Sequence, residues 1–513
     1  MHVDKPIVIL DFGSQYTQLI ARRVRQAQVF SQVLPYYADI QRIRELKPAG
    51  IILSGGPASL NEADAPRCDP EVFSLGVPVL GICYGMQLMA QHFGGAIAPA
   101  SRKEYGQRPV QLNTDAALFL GLDAQCDCWN SHGIQVTALP PGFTATAATD
   151  SCPIAAMENA QKNLYGVQFH PEVSHTQQGM AIITRFVRDI CGCPGSWHMD
   201  NYAAQAVSDI RREVGEGRVL LGLSGGVDSA VVAALIHQAI GSRLHCVFVD
   251  HGFMRKGEPE MVREVFTRHF PVSLTAVDAS ASFYGKLQGV TDPEHKRKII
   301  GHEFVAVFKE EATKLGKLDH FAQGTIYPDV IESGAAPGST VIKSHHNVGG
   351  LPKELGFTSL IEPLRSLFKD EVRALGRVLG LPNEMVNRQP FPGPGLAIRT
   401  LGELTPGKVH ITRESDAILR EEFDKSGFAA QVSQFFTVNT NIRSVGVMGD
   451  GRSYDTAIAI RAVTTDDFMT ADWARIPYDL LAHISRRITN EVPGVNRVLV
   501  DVTSKPPASI EWE

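Results

Sequence analysis

Two patterns alternate along the first third of the chain. Short apolar runs (Ile7–Leu10, Ile51–Leu53, Val77–Ile82, Val110–Leu112, Leu164–Phe169) read as strands, and between them apolar residues recur at helical spacing. The alternation predicts an α/β domain with a mostly parallel sheet. It stops at Cys191-Gly-Cys-Pro-Gly-Ser196, a stretch rich in chain breakers. A second alternation follows: a helix around Asn201–Val214, a strand Arg218–Leu223, a glycine turn, a helix Ser229–Ile240, a strand Leu244–Val249, a helix near Pro259–His269 and a strand Val272–Val277. This predicts a second doubly wound α/β unit. The prolines of Gln389-Pro-Phe-Pro-Gly-Pro-Gly395 mark a hinge or rigid linker. Beyond them helices (Thr412–Phe423, Tyr478–Ile488) mix with strands (Thr456–Ala462, Arg497–Val502) as an α+β module. The expected domains are 1–195, 196–389 and 390–513.

Length and composition narrow the class of protein. A chain of 513 residues suggests about two to four domains. With 44% hydrophobic and 20% charged residues it reads as soluble and globular. The formal net charge of -6 and the lack of a Lys/Arg block argue against nucleic acid or a membrane surface as the main partner. Small phosphorylated ligands stay open. The opening Met1-His-Val-Asp-Lys-Pro-Ile-Val-Ile-Leu10 has no cationic segment leading into a long apolar stretch, and no run elsewhere is long enough to span a bilayer, so a cytoplasmic protein is expected. The 8 cysteines read as reduced thiols. Cys126-Asp-Cys128 and Cys191-Gly-Cys193 resemble halves of a metal site but lack the longer spacer of zinc knuckles.

The first candidate chemistry lies in Gly81-Ile-Cys-Tyr-Gly85, where an apolar run stops and a helical pattern begins. A thiol at such a bend is exposed on the turn and feels the positive end of the helix, which favours thiolate. A lone cysteine is more often packing than chemistry. The distant Gly166-Val-Gln-Phe-His-Pro-Glu172 changes the balance, because residues i and i+2 of an extended segment share a face. Glu172 can then orient His170 while the other imidazole nitrogen faces Cys83: nucleophile, base and orienter. Leu53-Ser-Gly-Gly-Pro57 offers backbone donors for an oxyanion, Gly56 among them, and the second would be the N–H of Tyr84.

The second lies in Leu221-Gly-Leu-Ser-Gly-Gly-Val-Asp-Ser-Ala230, a glycine-rich strand-to-helix turn that suits phosphate. It lacks the Gly-Lys-Ser/Thr ending of a loop that transfers a terminal phosphoryl group. Asp228 is a candidate Mg²⁺ partner, since Mg²⁺ usually joins one or two carboxylates to phosphate oxygens. Phe248-Val-Asp-His-Gly252 ends the next strand on the side where a nucleotide base and ribose would lie.

The first set of motifs resembles the class I (triad) glutamine amidotransferases. That likeness implies a thioester at Cys83 with His170 and Glu172, and a glutamine-holding role for Gln87. Ser224-Gly-Gly-Val-Asp-Ser229 resembles the loop of the ATP pyrophosphatases, which fold like the adenine-nucleotide α-hydrolases. The likeness implies that Ser224, Gly225, Gly226, Val227, Asp228, Ser229 and Ala230 bind ATP, with Lys369 on its phosphates. Over nearly its whole length, including Lys296-Arg-Lys-Ile-Ile-Gly-His-Glu-Phe304 and Thr503-Ser-Lys-Pro-Pro-Ala-Ser-Ile-Glu-Trp-Glu513, the chain resembles the glutamine-hydrolysing GMP synthases. The implied substrates are glutamine, ATP and xanthosine 5'-monophosphate (XMP), with Mg²⁺. Arg297, Gln434, Asp450, Lys505 and Glu511 are implied to hold XMP, the Gly349-Gly350 loop to close over the adenylating site, and the C-terminal module to pair two chains as a homodimer. Arg297 and Lys505 also suit a phosphate by charge. Ala230 and His251 depart from the serine and asparagine common at those places. A tRNA-modifying adenylating enzyme would need a basic surface, and asparagine synthetase-like enzymes carry their cysteine at the mature N-terminus. A scaffold of inactive domains would have lost Cys83, His170, Glu172 or Asp228.

Overall fold

The apolar runs that open the chain fold as strands of one nine-stranded sheet. The computed structural model describes residues 5–316, 318–333, 357–448, 451–465 and 470–513. They form two compact units, the first running to Tyr202 and the second holding nearly all of the chain from Ala203 on. Among the described residues no helix is long and apolar enough to cross a membrane.

In the first unit β1 (Ile7–Asp11), β2 (Ser31–Pro35), β3 (Gly50–Leu53), β4 (Val79–Ile82), β5 (Ala96–Leu112), β6 (Gln125–Ala138), β7 (Thr144–Ala148), β8 (Ala156–Asn159) and β9 (Leu164–Val167) lie in the order β2-β1-β3-β4-β9-β8-β7-β5-β6. From β2 to β9 the pairs are parallel. Their cores, such as Ile7–Leu10 and Gly50–Leu53, are buried on both faces, which is why they read as continuous apolar runs. From β9 to β6 every pair is antiparallel, which corrects the expectation of a mostly parallel sheet. The run Val110–Leu112 is only the end of β5, most of whose residues are exposed or half-exposed. Its charged residues and prolines hide the strand from an apolar pattern, and the register shifts between Pro99 and Glu104.

The helix Tyr84–His92 is buried from Tyr84 to Ala90 and lies directly on β3 and β4. Two glycines permit this. A Cβ on Gly81 would stand 2.6 Å from the Gly85 carbonyl carbon and oxygen, and one on Gly85 would stand 2.5 Å from Leu53 O. The Gly85 N–H donates to Ser54 O at 3.2 Å, closing the crossing.

The second unit begins with an all-parallel sheet of β10 (Val219–Leu223), β11 (Leu244–Asp250), β12 (Ser273–Asp278), β13 (His320–Ala322) and β14 (Ser359–Ile361) in the order β12-β11-β10-β13-β14. The order reverses beside β10, so the glycine turn after Leu223 sits at the switch point where open α/β sheets bind ligands. The helix expected near Pro259–His269 runs from Glu258 to Glu264 and widens into a π-helical turn over Val265–His269.

The rest of the unit packs helices Pro406–Lys425 and Tyr478–Glu491 on a sheet of β15 (Gln434–Met448), β16 (Gly451–Thr464), β17 (Asp472–Trp473) and β18 (Val495–Asp501). Ile418, Leu419, Phe423, Phe435, Ile458, Ile460, Ile484 and Ile488 form its core. In the proline-rich linker the ring of Phe391 lies 4.2 Å from the Arg255 guanidinium, 5.1 Å from that of Arg399 and 5.4 Å from that of Arg388. Prolines stiffen this linker, and cation–π contacts fix its aromatic side chain.

The crossing at Gly85 yields a stability prediction. Gly85→Ala is expected to lower the thermal stability of the first unit by about 2–3 kcal/mol, because the new methyl meets backbone that cannot yield. Gly407→Ala, in open space on a helix, should be neutral or slightly stabilising. Calorimetry of the two variants side by side checks both outcomes.

Candidate active sites

Cys83 stands between β4 and the helix Tyr84–His92 at φ 51°, a conformation that side chains rarely adopt. Its N–H donates to Val167 O at 2.8 Å and continues the β4–β9 ladder, while its carbonyl accepts the first helical bond from Gln87. Cys83 is buried, with 7% of its surface exposed, which corrects the expectation of a thiol exposed on the turn. His170, three residues past the end of β9, lies beside that thiol, since a Cβ on Gly55 would stand 3.2 Å from its Cε1 and 3.8 Å from Cys83 Cβ, and its Nδ1 lies 2.7 Å from Glu172 Oε1. Main-chain and side-chain bonds hold the segment: His170 N–H to Trp129 O at 2.9 Å, and Thr176 Oγ1 to His170 O at 2.6 Å. The Tyr16 ring meets the imidazole edge-on at 5.1 Å.

Burial works against a charged imidazole, yet the Glu172 carboxylate and the Cys83 sulfur outweigh it and hold His170 well above the ordinary histidine value. A protonated imidazole beside a thiol is the arrangement that activates a cysteine nucleophile. Glu172 is fully buried, and its second oxygen has no partner among the described residues. Sequence reading gave no hint of a second buried pair behind it: His132 Nε2 stands 3.2 Å from Glu104 Oε2 across β5 and β6. Burial holds His132 below its ordinary value in spite of Glu104.

The oxyanion donors have the right backbone for the task. A Cβ on Gly56 would meet Phe12 O at 2.9 Å, so only glycine lets this strand end lie so close. Tyr84 opens its helix and its N–H has no carbonyl one turn earlier to bond. Its hydroxyl is tied away from the site, to Pro66 O at 2.6 Å. Gln87 is buried, and its amide nitrogen donates to Ile134 O at 2.9 Å and to Gln168 Oε1 at 3.3 Å.

In the second unit the turn Ser224–Gly226 leads from β10 into the helix Val227–Ile240. Gly225 has φ +73°, and its carbonyl is held by the Arg388 guanidinium. Ser229 Oγ accepts from Ser224 N–H at 3.2 Å and lies 3.1 Å from Ser224 Oγ. The loop is thus braced from within, and the first N–H groups of the helix face outward. Ala230 is buried in the helix and can add only its backbone. Lys369, from a helix start 141 positions away, reaches Asp228 Oδ2 at 2.5 Å. Asp228 Oδ1 is buried with no partner among the described residues, a free acceptor that fits one carboxylate ligand of Mg²⁺. His251 packs against Phe253 and Phe283, accepts a bond from Phe253 N–H, and is pushed down to about 4 by burial. It is a neutral core histidine.

Of the residues implied to hold XMP, the structure brings two, Arg297 and Gln434, to the tail of the chain, which itself carries Lys505 and Glu511. Arg297 Nη2 donates to Glu513 O at 2.5 Å, and Gln434 Nε2 to Glu511 Oε1 at 2.9 Å. Two fully buried cations that the sequence reading passed over complete the group. Arg399 grips Glu511 with two bonds of 3.1 and 2.7 Å, and Lys296 Nζ reaches Glu513 Oε2 at 2.5 Å and Thr400 O at 3.1 Å. Arg461, also fully buried, donates to Thr503 O and Ser509 O. The tail is docked rather than frayed. Lys505 exchanges backbone bonds with Ala471. Asp450 and Gly349-Gly350 lie outside the described residues.

Known proteins divide the chain in the same sense as its motifs. The class-I glutamine amidotransferase family matches residues 8–190, the NAD synthase family residues 201–267, and the GMP synthase C-terminal domain family residues 421–512. The glutamine-hydrolysing GMP synthase of Acetivibrio thermocellus is 56% identical over 507 residues, 99% of each chain. That of Geobacillus kaustophilus is 57% identical over 507 residues, again 99% of each. That of Thermomicrobium roseum is 57% identical over 511 residues, 99% of this chain and 96% of the relative. Identity at this level over the full length carries both motif sets and the docked tail together, and the chain belongs to the glutamine-hydrolysing GMP synthases.

Proposed function

We propose that residues 1–195 release ammonia from glutamine, that 196–389 adenylate XMP, and that 390–513 complete the nucleotide site and pair two chains. The observation that carries the first part is the imidazole of His170, bonded to Glu172 and lying beside Cys83, whose sulfur helps to hold it protonated. The sulfur attacks the carboxamide carbon of glutamine, and the charge that builds on its oxygen faces the N–H groups of Gly56 and Tyr84. The C–N bond breaks as His170 gives its proton to the leaving nitrogen, leaving a thioester. Water, deprotonated by His170, then breaks the C–S bond and frees glutamate.

In the adenylating domain the C2 oxygen of XMP attacks the α-phosphorus of ATP. Pyrophosphate leaves into the Ser224–Ala230 loop, whose helix-start N–H groups accept its charge. Ammonia then adds at C2 and expels AMP, giving GMP. Lys369 lies where it can neutralise phosphate. Asp228 would hold Mg²⁺, which when bound supplies charge neutralisation across the phosphates. Arg297, Gln434, Asp450, Lys505 and Glu511 are assigned to XMP.

Pairing of two chains is supported by the β15–β16 hairpin. Val445 lies opposite Tyr454 and shares a strand face with Val447, and all three are exposed, Val447 by 79%. An apolar face of this kind suits a second copy of the chain.

Three outcomes test the reading. Cys83→Ala should lose GMP formation from glutamine and keep it from ammonium. Loss of both would sink the two-site mechanism. Asp228→Asn should slow pyrophosphate release by roughly 100-fold or more with either nitrogen donor, and an unchanged rate would remove Asp228 from the site. Val447→Asp should turn a dimer into a monomer in sedimentation velocity, whereas an unaltered profile would put the interface elsewhere.

A further inference from the structure

The strand end that carries the triad presents one more side chain to the sulfur. Beyond β9 the chain bends at Gln168 and Phe169, bridges at His170 and turns at Glu172, and the contacts of Gln168 with Cys83 and of His170 with Glu172 put these side chains in one site while Phe169 packs in the core against Phe119. Gln168 is completely buried, its backbone pinned by a 2.8 Å bond from its N–H to Ala155 O. Its Nε2 lies 3.5 Å from Cys83 Sγ.

Which end of this amide meets the sulfur follows from a chain of contacts. The carbonyl of Ile134 can only accept, so the end of Gln87 at 2.9 Å from it is the NH₂. The same NH₂ reaches Gln168 at 3.3 Å, so that end of Gln168 is its oxygen. The remaining end, the NH₂ of Gln168, faces Cys83. Turning Gln87 over would set its oxygen against the oxygens of Ile134 and Gln168, and turning Gln168 over would set NH₂ against NH₂ and its oxygen against the sulfur, in a buried site. Both hydrogens of the Gln87 nitrogen are thereby engaged, which leaves only its oxygen for glutamine.

We propose that Gln168 is a catalytic residue of the glutaminase reaction: its N–H donates to the Cys83 sulfur and stabilises the thiolate, and Gln87 acts as the positioning residue that keeps this donor turned inward. The inference rests on Cys83 being the glutamine nucleophile. When His170 takes the thiol proton, negative charge appears on sulfur, and the Gln168 bond becomes charge-assisted. The charge leaves sulfur as the C–S bond forms and returns as that bond breaks during hydrolysis. Gln168 gives up no proton in either step. The ionisable groups around the sulfur are His170, with Glu172 behind it, and the His132–Glu104 pair of β6 and β5, whose histidine is held down in part by the charge of His170. Tyr16 rests on the imidazole from the segment after β1. Gln168 adds a neutral donor to this set.

The test is the pH dependence of Cys83 alkylation by iodoacetamide in the full-length enzyme, with ammonium-dependent GMP formation reporting the amount of folded protein. Gln168→Met keeps the shape and removes the donor. Its alkylation midpoint should move up by about one pH unit and its glutamine-dependent kcat fall about tenfold, with little change in KM for glutamine. Gln87→Met, which frees the Gln168 amide to turn, should move the midpoint in the same direction by less. A midpoint unchanged in Gln168→Met overturns the proposal, whatever happens to kcat. If Gln168→Met does not fold, an unchanged midpoint in Gln87→Met overturns it instead. Glutamine-dependent synthesis surviving in Cys83→Ala would refute the nucleophile itself, a separate result.

Discussion

Both sites are built on the backbone N–H groups left over where a parallel strand turns into a helix. A helix cannot satisfy its own first amides, and a parallel sheet delivers every strand's carboxyl end, and so every such helix start, to one edge. In the first unit the turn is so tight that Gly81 and Gly85 must pass within contact of backbone, and the Tyr84 N–H is left over beside Cys83. In the second the turn is opened by the positive φ of Gly225, whose carbonyl Arg388 holds back, and the amides suit phosphate. In the proposed reading one device stabilises negative charge on carbon-bound oxygen in one unit and on phosphorus-bound oxygen in the other.

The second unit depends on buried charge to a degree that its composition does not announce. Lys296, Arg399 and Arg461 are all fully buried, and each finds its partners in the tail from Asp501 to Glu513. A buried cation stripped of its partner costs roughly 3–5 kcal/mol, so the tail is part of the folded core rather than an appendage. Arg255, Arg388 and Arg399 extend the same arrangement around Phe391, with Glu258 and Asp416 as counter-charges. Burial lowers the Arg255 value to about 9, with Arg420 adding to the effect and Asp416 and Glu258 opposing it.

What the sequence disclosed and what it hid divide along physical lines. Strands buried on both faces were legible as apolar runs, and so were the turns, because the glycines at 81, 85 and 225 answer to local geometry. The pairing of His170 with Glu172 was legible because they are two apart, although Glu172 lies in a turn beyond β9 rather than in the extended chain expected. The antiparallel β5–β6 arm was not, since most of β5 faces water and its pattern is polar. Gln168 lies within Gly166–Glu172 yet gives no signal there, because an amide shows its role only when its donor and acceptor ends are fixed by neighbours far along the chain. Lys296 and Arg399 escaped for a similar reason: a buried cation looks like a surface one until its carboxylate, 217 or 112 positions away, is found beside it.

Cys83 occupies a backbone conformation that suits a residue without a side chain. Holding a cysteine there costs on the order of 1–3 kcal/mol of strain. Replacement by glycine would relax the backbone here as it removed the thiol. Stability and the proposed chemistry therefore pull in opposite directions at one residue, and the torsion angle that costs the fold is the one that turns the chain from strand to helix beside His170.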